Sequence, residues 1–204
     1  KIEDEKGSSA TFTGPVQFNW GFSLNRTRIV DSSGITSHFS SESSYEQGTM
    51  GKDYRVYYSL IAFHGIVSAK RAEKTFLKEE DLQLLDEAMV KAIPLLATRS
   101  KIGQYPRLYL RVEYKDAFTF LGDLRNYISL VEDDGSLRDI SEVQLDVSRL
   151  YDHLSEHRNE IERIYVWQNS KLGLKGIDSE NFADALKEAN INVNDLQFIS
   201  RGKS

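Results

Sequence analysis

The residues with the plainest chemistry are His153, Glu156 and His157. In a His-x-x-Glu-His spacing on a helix, two imidazoles one turn apart can bind zinc while the glutamate polarises water, the inverted zinc-protease pattern. The surrounding residues read differently. Leu150, Leu154 and Ile161 make an apolar stripe, His157 borders it, and Glu156 points away with Glu160, as on an ordinary surface helix. A third protein ligand is needed as well, and nothing downstream announces one. A zinc-dependent hydrolase on this helix is therefore the enzymatic alternative and not the leading reading.

A second set of residues could hold an anion. Gly48-x-x-Gly51-Lys52 combines small residues, which let backbone N–H groups approach a phosphate, with a lysine charge. It lacks the spacing of a nucleotide phosphate loop and precedes a strand, so a polynucleotide phosphate fits better than ATP; read blandly, the glycines are turn residues. His38 and Phe39 are an aromatic pair on a loop with no obvious core to enter. Such rings can stack on an unpaired base, worth about 1–3 kcal/mol per base, or make a satellite hydrophobic contact. With Arg26, Arg28, Lys52 and Arg55 they interleave basic and aromatic side chains around one hairpin. That combination favours single-stranded nucleic acid.

The elements that must position these residues follow from periodicity. Thr11 to Trp20 reads as a strand whose first half, at Pro15, is an edge. Thr27 to Val30 is a short β pattern that gives way to Asp31-Ser32-Ser33-Gly34 and the polar tract Ser40 to Gly48, a loop or hairpin tip. Tyr54 to Val67, dense in aromatic and β-branched residues and free of proline, is expected to be a central strand.

Lys78 to Thr98 carries Leu82, Leu85, Met89, Ile93 and Leu96 at helical steps and acids in its first turn, so a helix is predicted that ends or kinks near Pro94. Arg107 to Tyr114 alternates as a strand with one buried face. Beyond it come an apolar stretch at Asn126 to Val131, an acidic turn at Glu132 to Gly135, a helix near Val147 to Arg163, a short buried strand at Ile164 to Trp167, and a helix from Phe182 to Ala189 stopping at Asn190. The tail after Ile199 should fray. The expected class is α+β on a mostly antiparallel sheet, with strand, helix, strand forming half of a ferredoxin-like unit.

Composition bounds the function. The 204 residues are 40% hydrophobic and include no cysteine, which excludes disulfides and thiolate metal cages and suits a reducing compartment such as the cytoplasm. No apolar run approaches the roughly twenty residues that span a bilayer, and from its charged, polar start no secretory signal is expected. Net charge is −5, against a simple phosphate binder, but Leu95 to Val112 holds Arg99, Lys101, Arg107 and Arg111 and no acid, and Gly14 to Val30 holds Arg26 and Arg28 and no acid. An anion would bind in these stretches.

Several longer blocks resemble a known family. They are Gly14-Pro15-Val16-Gln17-Phe18-Asn19-Trp20-Gly21 followed by Ser23-Leu24-Asn25, Ile35-Thr36-Ser37-His38-Phe39, Gln47-Gly48-Thr49-Met50-Gly51-Lys52-Asp53-Tyr54-Arg55-Val56, and Thr98-Arg99-Ser100-Lys101-Ile102-Gly103-Gln104 with Pro106-Arg107-Leu108, and a looser echo stands at Ile164-Tyr165-Val166-Trp167. Together these resemble the DevR-like backbone subunits of subtype I-B Cascade, a CRISPR surveillance complex.

The resemblance implies a single domain over 1–204, a modified RNA-recognition-motif (ferredoxin-like) palm with an antiparallel sheet and an inserted thumb hairpin over about 35–53. Many copies would polymerise along the guide (CRISPR) RNA, each thumb folding over the guide and splaying a base while the palm holds phosphates. Carried onto this chain, the palm contacts are Asn25, Arg26, Arg99 and Lys101, and the thumb and its base supply Thr36, Ser37, His38, Phe39, Met50, Lys52 and Arg55. The implied partners are crRNA, target DNA indirectly, further copies of the chain and other Cascade subunits, with no membrane, cofactor, metal or catalysis. Two departures stand out: family members usually begin with a further βα segment that this chain is expected to lack, and Phe22 occupies a position expected to be basic. The interaction-class alternative is an assembly subunit that binds no nucleic acid.

Overall fold

The two halves of the sequence fold in different ways. In the computed structural model, which describes residues 13–31, 35–36, 50–51, 54–133 and 135–196, the N-terminal half is an antiparallel ribbon followed by two helices, and the C-terminal half holds the packed core.

The ribbon runs outward through β1 (Val16–Phe18), β2 (Phe22–Ser23), β3 (Ile29–Val30) and β4 (Ile35–Thr36). It returns through β5 (Met50–Gly51), β6 (Arg55–Val56), β7 (Ile61–Ala62) and β8 (Gly65–Val67), which pair antiparallel with β4, β3, β2 and β1 respectively. Phe18 faces Gly65, Phe22 faces Ala62, and Ile29 faces Val56, so in each interval the outgoing strand carries one residue more than the returning one. Extra residues of this kind are bulges; they break the ladder into short pieces and increase its twist.

The expectation of a central strand at Tyr54 to Val67 is thereby corrected. Among the described residues its three pieces pair on one side alone, and Tyr54, Ile61 and Phe63 are exposed. Aromatic and β-branched density records fitness for a pleated, half-covered surface and carries no count of neighbouring strands. One face of the ribbon does reach the core, where Leu24, Tyr58 and Leu60 pack.

Two helices follow. Ser68 caps α1 (Ala69–Thr75), which ends where Phe76 turns left-handed at φ 60°. In α2 (Glu79–Leu95) the Asp81 carboxylate accepts from the Lys78 N–H at 2.9 Å, and Glu79, Glu80 and Asp81 face the helix dipole. The helix ends one residue after Pro94, close to the expected stop.

The remaining elements are β9 (Leu108–Tyr114), β10 (Ser129–Leu130), β11 (Gln144–Asp146), α3 (Ser148–Glu156), β12 (Ile161–Gln168), β13 (Gly173–Lys175), α4 (Phe182–Glu188) and β14 (Val193–Asp195). They form two three-stranded sheets, β14-β12-β9 and β10-β11-β13. Most pairings in the fold are antiparallel, but β11 with β13 and β12 with β14 are parallel, the latter joined through α4. Val147, Leu154, Ile164, Phe182 and Leu186 are fully buried at the centre. The class is α+β, as expected.

The helix expected over Val147 to Arg163 is half as long. It stops at His157, a turn closes with Glu160 N–H donating to the His157 carbonyl at 2.9 Å, and Ile161 enters β12 opposite Tyr114. Ile161, Ile164, Tyr165, Val166 and Trp167 favour a strand, and pairing along the whole of β9 outweighs a helical period that the same residues also fit. At the other end Asn190, at φ 60°, stops α4 where expected. Among the described residues no helix is long and apolar enough to cross a membrane. The expected fraying after Ile199 lies outside the described residues.

Candidate nucleic-acid interface

Asn25 is the polar centre of the ribbon. It sits between two ladder segments, where the bulge leaves backbone groups without strand partners, and it is 5% exposed. Its Oδ1 accepts from the Leu60 N–H at 2.8 Å and from the Ser23 hydroxyl at 3.1 Å; its Nδ2 donates to the carbonyls of Arg26 and Tyr58 at 3.2 and 3.3 Å. Both amide donors are engaged, so the side chain fixes the backbone that presents its neighbours and leaves no N–H for a phosphate.

The segment between β9 and β11 clasps the ribbon at three points. Arg125 donates to the Trp20 carbonyl, grips Asp123 through Nε and a terminal nitrogen, and stands 5.0 Å from the Phe22 ring. That hydrogen-bonded guanidinium holds the Asp123 carboxyl below its ordinary range, and His64 of the ribbon lies 3.7 Å from the same carboxylate. Further out, Asp133 accepts from the backbone N–H of Arg26. Arg138 lies over the Tyr57 ring at 4.3 Å. Beside it, burial pushes the Tyr58 phenol upward; Arg107 opposes this, and Asp139 and Glu142 add to it.

The expected contact residues divide by element. Arg26, Arg28 and Arg55 are exposed on the ribbon; Arg55 pairs with Val30, and Tyr57 donates its N–H to the Arg28 carbonyl at 3.0 Å. Thr36 and Met50 are register partners in the pairing of β4 with β5. Arg99 and Lys101 lie on a different element, the exposed turn after α2, where the Lys101 N–H donates to the Thr98 carbonyl at 2.9 Å. Ser37, His38, Phe39 and Lys52 lie outside the described residues.

Arg125, Asp133 and Arg138 were not among the residues singled out from sequence. Only the Asp-x-Arg spacing of Asp123 and Arg125, in which Asp123 also caps a short 3-10 turn, carries a local signal.

Two other features have the wrong chemistry for RNA. His153 Nε2 lies 3.1 Å from the Leu121 carbonyl and its ring stacks on Tyr127 at 4.0 Å, while His157 Nδ1 lies 3.1 Å from Glu160. These contacts knit α3 to its neighbours. Among the described residues no group of three or more His, Cys, Asp or Glu is placed to hold a metal ion. A cavity of about 490 Å³ beside α2 is lined by Glu79, Glu87, Glu113 and Glu162 with Arg163 the one base among them, an acidic balance that disfavours a polyanion.

Comparison with known proteins adds the family. A family model described as CRISPR-associated protein Cas7 matches residues 3–148. The CRISPR-associated protein Cas7 of Haloferax volcanii is 32% identical over 197 residues, which cover 93% of this chain and 58% of that protein. The chain thus spans little more than half the length of that relative. A chain of a CRISPR RNA-guided surveillance complex is similar over 90% of this chain and 66% of its own length, at 16% identity and a TM-score of 0.47. A chain of a CRISPR RNA-guided surveillance complex, pre-nicking, is similar over 91% and 48%, at 12% identity and a TM-score of 0.47. With a family model matched over well beyond half of its residues, this chain belongs to the CRISPR-associated protein Cas7 family.

Proposed function

We propose that this chain binds CRISPR guide RNA as a repeated backbone subunit of a type I, subtype I-B, Cascade surveillance complex, and that it performs no catalysis. The observation that carries the reading is the ribbon in a member of this family: its inner half is fastened by Arg125 and His64, and its outer half exposes Arg26, Arg28 and Arg55. Segment 35–53 is then the thumb inserted at the ribbon's far end, and the core of 121–191 is the body of a modified RNA-recognition-motif palm. Arg26, Arg55, Lys52, Arg99 and Lys101 supply phosphate contacts; Thr36, Ser37, His38, Phe39 and Met50 shape the path of the guide; Asn25 positions the backbone beneath them. Base pairing by the guide supplies sequence recognition, so target DNA is met indirectly. The partners are crRNA, further copies of the chain and other Cascade subunits, in the cytoplasm, with no cofactor.

The test is binding of single-stranded RNA across a salt series. Each phosphate neutralised on a single strand contributes about −0.7 to the log–log slope. Replacing Arg26 and Lys52 together by alanine should weaken binding and flatten the slope. An unchanged slope and affinity would remove both residues from the interface.

A further inference from the structure

The acidic turn after β10 meets Arg26 through both its backbone N–H and its side-chain stem. Asp133 Oδ2 accepts from the Arg26 backbone N–H, and its Oδ1 accepts from the Gly135 N–H at 3.1 Å. Gly135, buried and left-handed at φ 79°, lies against the Arg26 side chain so closely that a Cβ there would stand 3.3 Å from Arg26 Cδ. Asp133 and Gly135 thus lie on the arginine, with a carboxylate on its main-chain donor and backbone against its stem, and the exposed Glu132 precedes them in the chain.

A backbone N–H next to a guanidinium is the donor set that phosphate oxygens accept from. The carboxylate of Asp133 offers that N–H the same kind of acceptor. We propose that the Arg26 N–H and side chain form one phosphate-binding site of the ribbon, and that in the free chain Asp133 fills it as an internal competitor. The inference rests on the guide-RNA reading and deepens it. A phosphodiester and a carboxylate cannot share the donor, because their charges repel at hydrogen-bonding distance. RNA must therefore displace Asp133, and the acidic turn opens as the ribbon is loaded. Weak or misplaced polyanions that cannot displace it are rejected, which gives the interface a threshold without a moving domain.

Three proteins separate the outcomes: the parent, Arg26→Ala and Asp133→Asn, each titrated with single-stranded RNA across a salt series. Asp133→Asn keeps the shape and removes the charge, so it should bind about fivefold more tightly at low salt, with the gain shrinking as salt rises. Arg26→Ala should bind more weakly than the parent. If Arg26→Ala weakens binding while Asp133→Asn binds equally or more weakly, the turn is a brace and the competitor is overturned while the guide-RNA reading stands. If Arg26→Ala binds as the parent does, Arg26 is no phosphate contact and the inference falls with it. Hydrogen exchange of the parent decides the matter should Asp133→Asn not fold: residues 131–133 should exchange faster with RNA bound, and slower exchange there overturns the proposal.

Discussion

Asp86 of α2 and Arg111 of β9 form a bidentate ion pair, Nε to Oδ1 at 2.7 Å and Nη2 to Oδ2 at 2.8 Å, with Asp86 only 1% exposed. Tyr109 donates its hydroxyl to the same Oδ1 at 2.7 Å, and the guanidinium lies 3.8 Å from the Tyr165 ring centroid. Burial first, and then the hydrogen bond to Asp86, raise the Tyr109 phenol well above its ordinary range. Leu82, Leu85 and Met89 are half-buried, Ile93 and Leu96 are exposed, and Val90 is buried, so this polar pin shares the attachment of α2 with a short apolar contact.

A buried pair adds little over an apolar one of the same shape, but breaking it strands a charge. Asp86→Ala should therefore lower stability by about 3–5 kcal/mol in urea unfolding, and replacing both residues by leucine should recover most of that. A loss below about 1 kcal/mol for Asp86→Ala would show that α2 is held by its apolar contacts.

Asn25→Ala makes a local prediction. It leaves the Leu60 N–H and Tyr58 carbonyl without their partners, at about 1–3 kcal/mol for the pair in this half-buried setting. The Leu60 amide should lose exchange protection while β9 and β12 keep theirs. Unchanged protection at Leu60 would mean that water replaces the side chain at no cost.

The clasp at Arg125 should loosen in acid. Chiefly through its hydrogen bond to Arg125, the folded Asp123 carboxyl titrates below its ordinary value, so it stabilises the fold above the ordinary carboxylate range and the gain is lost as pH falls through the depressed native value. Because Asp123 is about a third exposed, the effect is modest. The stability difference between the parent and Asp123→Asn should shrink between about pH 5 and pH 2. A difference that stays constant into acid would assign the role of Asp123 to shape alone.

What the sequence made legible was local. Acids at 79–81 and Pro94 bound α2, alternation marks β9, and Asn190 ends α4, because capping charge, ring closure and a left-handed turn act within a few residues. The site depended on contacts that no window contains: Arg125 to Trp20 spans 105 positions and Asp133 to Arg26 spans 107. Asn25 belonged to a block that resembles the family, yet its work is done on Leu60 and Tyr58, visible only once the strands are in register. Asp86 was hidden for a different reason. A carboxylate on a helix reads as solvent-facing until its arginine, 25 positions on, is known to meet it.

The inner ribbon offers a last test, in which two glycines of similar setting should behave differently. Phe18 lies across Gly65 and Phe63 across Gly21, each ring laid on the bare backbone of the opposite strand. Alanine in a strand gains about 0.5–1 kcal/mol over glycine from the unfolded chain, so the neighbours of the new Cβ decide the sign. At Gly21 the Cβ would meet side-chain atoms of Phe63 and Ile61 at 2.5 to 2.7 Å. The half-exposed Phe63 ring can turn outward, but Cγ2 of the β-branched Ile61 is stiff, so Gly21→Ala should cost less than about 1 kcal/mol. At Gly65 the Cβ would meet the Phe18 ring at 2.7 Å and also the Gln17 carbonyl oxygen at 3.1 Å, backbone that the β1–β8 pairing holds in place. Gly65→Ala should therefore cost about 1–2 kcal/mol, as overpacking does. Phe18→Ala combined with it should restore part of the loss, since removing the ring relieves one of the two contacts and leaves the carbonyl. Thermal unfolding of the three variants reads the order directly; equal costs at Gly21 and Gly65 would mean that the rings, and not the strand backbone, set the spacing of the ribbon.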